Sequence, residues 1–152
     1  MANARTRIEL TQEEQDQLLE DAQTLQIASI GPNGFPHLVP MWFARDDEGL
    51  LIFSTYGTSQ KIVNLERDER ITVLAETGTA YNEVKGVSIE GRAEVVRDPQ
   101  VTMRTLQLVG AHTNHQPRPE PVTDTEPPPV AHKRVTVRIH PERTRSWDHG
   151  KL

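Results

Sequence analysis

Hydrophobic and polar positions alternate most clearly between Val84 and Val96, where Val87, Ile89, Ala93 and Val95 are interleaved with Ser88, Glu90, Arg92 and Glu94. Side chains of a strand point to opposite faces in turn, so this segment predicts a strand with one buried and one wet face. Near the C-terminus Val135, Val137 and Ile139 alternate with Arg134, Thr136 and Arg138 in the same way. Ile27 to Ile30, Leu50 to Ser54 and the β-branched run Arg70 to Glu76 read as three further strands. Gly31-Pro32-Asn33-Gly34, the charged Arg45 to Gly49 and Thr77 to Ala80 are turns by composition. Thr11 with Glu14 forms a capping box, and a helix to about Ala22 is expected, with Leu18, Leu19, Ala22 and Leu25 on its apolar face. Asp98-Pro99 places an N-cap aspartate before a proline at N1, opening a helix to about Val109 that carries Val101, Leu106 and Val109 inward.

The segment FPHLVPMWF (35–43) departs from simple alternation. Phe35, His37, Val39, Met41 and Phe43 share one face, while Pro36, Leu38, Pro40 and Trp42 share the other, and both are largely apolar. Two prolines remove ladder donors, so an edge or bulged strand is expected, with both faces covered. Gly86 and Gly91 are candidate bends or bulges in the 84–96 strand. Residues 117–131 hold six of the eleven prolines and no apolar periodicity, predicting an extended or disordered loop. Six short strands, mostly antiparallel, with two or three helices predict a mainly β fold, a small barrel with helical cover.

Composition narrows the function. A chain of 152 residues is expected to form a single domain, and its 35% apolar and 5% aromatic content is low enough to call for long loops or burial by dimerisation. The net charge of −5, without a basic stripe, argues against nucleic acid and against anionic membrane surfaces. The absence of cysteine excludes disulfides and thiolate catalysis. The N-terminal MANARTRIEL lacks the apolar run of a signal peptide, and a cytoplasmic location is expected.

The densest candidate chemistry lies in IFSTYGTSQKIVNLER (52–67). A strand ends at Ser54, a loop carries Thr55, Tyr56, Gly57, Thr58 and Ser59, and a short helix opens at Gln60-Lys61. Unpaired N–H groups and the positive end of the helix dipole, together with a lysine, suit a phosphate; an ordinary capped helix with a surface lysine is the competing reading. His37 is a candidate ligand contact or a satisfied core histidine. His112 and His115 could share a metal, but no third ligand is near, and Asp46-Asp47 reads as a solvated turn. Trp147, in the polar ending SWDHGKL, is expected to dock on its own subunit, on a partner, or over a flat ring.

The ordered series GPNGFPHLVPMWF, LLIFSTYGTSQK, IVNLERDER, ITVLAE and KGVSIEGRAEVVRDP resembles the split-β-barrel family of pyridoxamine 5′-phosphate oxidases and related flavin- and deazaflavin-dependent oxidoreductases. The tail SWDHGKL resembles the deazaflavin branch. The resemblance implies an FMN-binding-type split barrel of six antiparallel strands. It further implies a homodimer with a flavin-like cofactor, FMN or deazaflavin (F-420), in each of two interfacial clefts. Carried onto this chain, it places His37, Pro40, Met41 and Trp42 beside the ring, and Ser54 and Thr55 along the ribityl side. Ser59, Gln60 and Lys61 would hold the phosphate, and Trp147 would close over the ring from the partner subunit. Only Lys61 is basic on a loop where relatives often carry two or three basic residues, so either the phosphate is held more weakly or Arg67 and Arg70 compensate. The vitamin B6 substrate-binding residues of the oxidases have no clear match. The function expected is an oxidoreductase passing hydride or electrons to a small organic acceptor, with no metal and no nameable proton donor. The alternatives are a flavin or deazaflavin storage protein and a haem-binding relative with His37, His112 or His115 as axial ligand.

Overall fold

The computed structural model describes residues 3–152. Its helices are α1 (Ala4–Arg7), α2 (Gln12–Asp21), α3 (Gln60–Arg67), α4 (Pro99–Thr113) and α5 (Pro129–Lys133). Its strands are β1 (Leu25–Ile30), β2 (Pro36–Met41), β3 (Ala44–Arg45), β4 (Leu51–Tyr56), β5 (Arg70–Thr77), β6 (Lys85–Val96) and β7 (Arg134–Asp148). The strands form one antiparallel sheet in the order β2-β1-β5-β6-β7-β4-β3.

The sheet has seven strands, not six. The extra strand is β3, whose Arg45 the sequence assigns to a turn; Ala44 and Arg45 pair with Ile52 and Leu51. The 35–43 segment, moreover, does not pair with Leu50–Ser54. It folds back on β1 instead, from Leu25 opposite Met41 to Ile30 opposite Pro36. Strands β2 and β3 therefore stand at opposite ends of the strand order with only Trp42 and Phe43 between them. Laid flat, seven strands would separate these edges by about 29 Å, but the chain from Met41 to Ala44 spans at most roughly 10 Å. The sheet must curl until its edges approach, and that curl makes the barrel.

The barrel interior collects Ile27, Phe53, Val73, Val87 and Val137 with Leu18 and Leu19 of α2 and Ile62 and Leu65 of α3. The α2 capping box is present, Thr11 accepting from the Glu14 amide and Glu14 from the Thr11 amide. Helix α4 begins at Asp98-Pro99 as expected but runs on to Thr113. Its buried face is Thr102, Met103, Thr105, Leu108 and Ala111, whereas Val101, Leu106 and Val109 are only half-buried. The helix packs on strands that offer it hydroxyls: Thr136 of β7 lies 3.2 Å from Thr102 and 2.8 Å from Thr105. The apolar period thus gives way to a buried hydroxyl cluster.

Strand β2 is an edge strand, as its prolines require. The Gly31 N–H donates to the Phe35 carbonyl at 2.9 Å, so odd-numbered residues 35 to 41 turn their polar backbone toward β1. Pro36 and Pro40 occupy the positions whose N–H would point off the free edge. Gly91 lies at a register shift between β6 and β7, as expected, while Gly86 serves close approach: a Cβ there would sit 2.2 Å from the Trp147 ring. Trp147 itself is not in a loose tail, because β7 continues to Asp148 and pairs Trp147 with Gly86.

The proline-rich loop is pinned rather than free. Arg118 donates to the Arg45 carbonyl (3.1 Å) and to Asp47 (2.6 Å), and Arg104 donates to the Pro119 carbonyl (2.8 Å). The loop ends in α5, which hands the chain to β7 at Arg134.

Candidate functional site

Strand β4 ends beside the start of α3, and five of the expected residues meet there. The Lys61 ammonium donates to the Thr55 hydroxyl at 3.0 Å, and Thr55 donates in turn to Ser59 at 3.3 Å. Ser59 is the N-cap of α3, yet its hydroxyl accepts no backbone amide of the helix. The Ser59 carbonyl takes the N–H of Ile62 and Val63, leaving those of Gln60 and Lys61 unspent at the positive end of the helix.

Alternation along β4 separates two residues expected to act together. Thr55 faces α3 and Lys61, while Ser54 lies on the opposite face with its cross-strand partner Thr136. There Arg134 donates to the Ser54 hydroxyl (3.1 Å) and carbonyl (2.8 Å), with its guanidinium 4.7 Å from the centre of the exposed Tyr56 ring. Lys61 and Arg134 reach the same strand end from two sides. Neither pairs with a carboxylate among the described residues. Partial burial, and then the neighbouring Arg134 charge, hold the Lys61 ammonium below the ordinary lysine pKa.

Arg134 is the residue that sequence reasoning missed. It follows a proline-rich loop far along the chain, and its alternation with Thr136 and Arg138 reads as a wet strand face. The expected compensating cations behave differently. Arg70 is spent on Asp68 at 2.7 Å, and Arg67 turns to the Ile30 carbonyl and Asn64.

Gln60 points along its own helix, donating to Asn64 at 2.8 Å, and Asn64 donates to Ser29 at 3.1 Å. Ser29 stands opposite His37 in the β1–β2 register, so this polar chain, buried at Asn64 and Ser29, ends beside the His37 position of β2 without a bond to it. The His37 Nδ1 atom is enclosed with no hydrogen-bond partner. Met41 is half-buried against the core, whereas Pro40 and Trp42 are exposed on the other face, Trp42 at 60%. Trp147 lies at the opposite end of β7 from Arg134, about 40 Å along an extended strand. Within one chain the structure joins Thr55, Ser59 and Lys61 by hydrogen bonds, sets Ser54 on the other face of β4, turns Gln60 along α3, leaves His37 opposite Ser29 without a bond to it, and keeps Trp147 apart.

His112 is occupied structurally. Its Nε2 lies 3.2 and 3.1 Å from the Leu19 and Glu20 carbonyls at the end of α2. No cluster of three metal-ligating side chains occurs among the described residues, and none of their helices is long and apolar enough to cross a membrane.

Comparison with known proteins agrees with this architecture. A conserved hypothetical protein from Mycobacterium tuberculosis shares 40% identity over 99% of this chain and 92% of its own, with a TM-score of 0.83. A putative 5-nitroimidazole antibiotic resistance protein from Bacteroides thetaiotaomicron has the same fold at 14% identity, covering 91% of this chain and 84% of its own, with a TM-score of 0.73. An F-420 reductase does so at 24% identity, covering 85% of this chain and 94% of its own, with a TM-score of 0.65. No curated protein matches the chain. The family model described as pyridoxamine 5′-phosphate oxidase matches residues 11–148, nearly the whole chain, and the protein belongs to that family.

Proposed function

We propose that the protein is an oxidoreductase that binds FMN or the deazaflavin F-420 and passes hydride or electrons to a small organic acceptor. The observation that carries this reading is the unneutralised Lys61 at the α3 start, bonded to Thr55 and without a carboxylate partner among the described residues, with Arg134 a second unpaired cation at the same strand end. Two cations without carboxylates repel each other, and a cofactor phosphate would relieve that repulsion. The residues fit such a group in a second respect: the enclosed and unpartnered His37 Nδ1 leaves a polar atom for the ring end of the cofactor. Solved structures of the same fold include proteins named as an F-420 reductase and a FAD-binding protein, which supports a deazaflavin or flavin as the class of cofactor.

The cofactor would supply the redox chemistry. The protein's own contribution would be to anchor the phosphate through Lys61, Ser59 and the Gln60 and Lys61 amides, and to seat the ring along the His37 to Trp42 strand. The exposed outer face of β2, with Leu38 at 64% and Trp42 at 60%, supports a homodimer in which Trp147 of the partner subunit covers the ring.

Titration with FMN, F-420 and haem, followed by absorbance or fluorescence, tests the reading. FMN or F-420 is expected to bind the native chain, and Lys61→Ala to weaken that binding by roughly tenfold or more with the melting temperature unchanged. Binding of haem alone would overturn the proposal. Turnover of quinones or enones by the reduced complex separates an enzyme from a storage protein.

A further inference from the structure

We infer that Arg134, laid on the Tyr56 ring at the end of β4, is a second anion-binding residue that completes the cofactor phosphate site with Lys61. This inference rests on the cofactor reading above and adds to it a residue from the far side of the proline-rich loop.

The geometry of Arg134 is that of a cation built for a ligand rather than for an internal ion pair. Its Nε and Nη2 are committed to the Ser54 hydroxyl and carbonyl, which fixes the plane of the guanidinium. The Tyr56 ring supports one face of that plane at 4.7 Å. Nη1 makes no hydrogen bond to the described residues, so one edge of the fork remains available to an anion. Most other arginines of the fold are neutralised: Arg45, Arg70, Arg92, Arg97, Arg104, Arg118, Arg138 and Arg145 all pair with carboxylates. An arginine held in place by neutral groups on Ser54, with an equally unpaired lysine bonded to the adjacent Thr55, raises the local positive potential in a chain of net charge −5.

The fold spends structure to put it there. The Gly57 N–H donates to the Lys133 carbonyl at 3.1 Å, clamping the end of α5 to the loop that follows β4. A Cβ at Gly57 would meet Arg97 Nη1 at 2.9 Å and Val135 at 3.3 Å, so the loop and the start of β7 are in close contact. The proline-rich loop and α5 thus return the chain to the point where Lys61 lacks a second cation.

The test compares FMN with riboflavin, and F-420 with its phosphate-free deazaflavin, on the native protein, Arg134→Ala, Arg134→Lys and Lys61→Ala. Arg134→Ala is expected to weaken the phosphorylated cofactor by roughly tenfold and leave the phosphate-free ring unaffected. Arg134→Lys, which keeps the charge and loses the fork, is expected to recover part of the loss. Nitrogen NMR of the Lys61 side chain should show its pKa rising in Arg134→Ala, which confirms the coupling without any ligand. Unchanged affinity in Arg134→Ala, with Lys61→Ala weakened, would overturn the role of Arg134 while leaving the cofactor reading intact. Equal losses for phosphorylated and phosphate-free ligands would also overturn it, as damage to the ring end. Failure of the native protein to bind either phosphorylated cofactor would overturn both readings together.

Discussion

At the scale of single residues the proposed phosphate site would be governed by the charge state of Lys61. Its pKa is lowered by burial and then by Arg134, so it loses its proton at a lower pH than an ordinary lysine. An anion binds the protonated form, so affinity is full below the Lys61 pKa and falls as pH rises through it. A bound phosphate pushes that pKa back up, and the complex therefore takes up a fraction of a proton wherever the free lysine is partly deprotonated. Cofactor affinity is expected to decline in the alkaline range, starting below the pH at which exposed lysines titrate, and the decline should disappear in Lys61→Arg. A binding isotherm measured at several pH values checks this, and an affinity independent of pH up to ordinary lysine titration would contradict it. The same linkage acts on the empty protein in reverse. The charged lysine is disfavoured in the fold, so this local cost is present at neutral pH and relieved as pH rises.

At the scale of elements the proline-rich loop shares one carboxylate anchor with α4 and is held besides by bonds of Arg118, Arg104 and Gln100 to backbone carbonyls. Asp47 takes a two-pronged contact from Arg104 (3.1 and 2.8 Å) and one from Arg118 (2.6 Å), tying the β3–β4 turn to α4 and to the loop. The Arg104 bonds, and then Arg118, hold its carboxyl far below the usual carboxylate range. A depressed pKa means that the stabilisation is present above the unfolded value near 4 and is lost only as pH falls through the lowered one. Asp47→Asn is expected to speed proteolysis and amide exchange across 117–128 at neutral pH, with little change in melting temperature because the Asp47 carboxylate is half exposed to water. Equal protection in both proteins would show the loop to be held elsewhere. The loop also marks the limit of what the sequence reveals. The alternation of Val87, Ile89, Ala93 and Val95, the Thr11–Glu14 box and the Asp98-Pro99 cap are local signals, and each appears where expected. The pairing of β2 with β1, the existence of β3 and the threonine cluster under α4 depend on contacts between distant segments, which periodicity does not encode. The site divides in the same way. Thr55, Ser59 and Lys61 lie within seven residues of one another, so their meeting is legible in the sequence, while the approach of Arg134 to the same strand end depends on the distant loop and α5 and is not.

At the scale of the whole molecule one sheet face remains uncovered. Helices α2 and α3 fill the barrel interior, and α4 packs on β3, β4 and β7. Among the described residues none of the longer helices α2, α3 and α4 packs on the outer face of β2, β1, β5 and β6. Its central row, continued onto β7, runs Leu38–Ala28–Thr72–Glu90–Arg143 across five strands, apolar at the β2 edge and charged at the β7 edge. Phe35, Leu38 and Trp42 are 73%, 64% and 60% exposed, although the period of the 35–43 segment calls for cover on both sides. Trp147 projects from the same face at Gly86. Two copies related by a two-fold axis would bury these apolar edges and bring the Trp147 of each toward the β2 of the other. Such a dimer would unite in two shared clefts the residues that one chain keeps apart. Leu38→Arg decides the matter, because a residue this exposed contributes little to the stability of the single chain. The native protein is expected to sediment at twice its 17.2 kDa chain mass, and Leu38→Arg to sediment as a folded monomer. If the cofactor clefts are shared, the monomer also loses FMN or F-420 affinity and the quenching of Trp147 fluorescence that accompanies binding. A native protein that is monomeric at micromolar concentration would refute the dimer. A Leu38→Arg monomer that binds the cofactor normally would show that each chain builds its site alone.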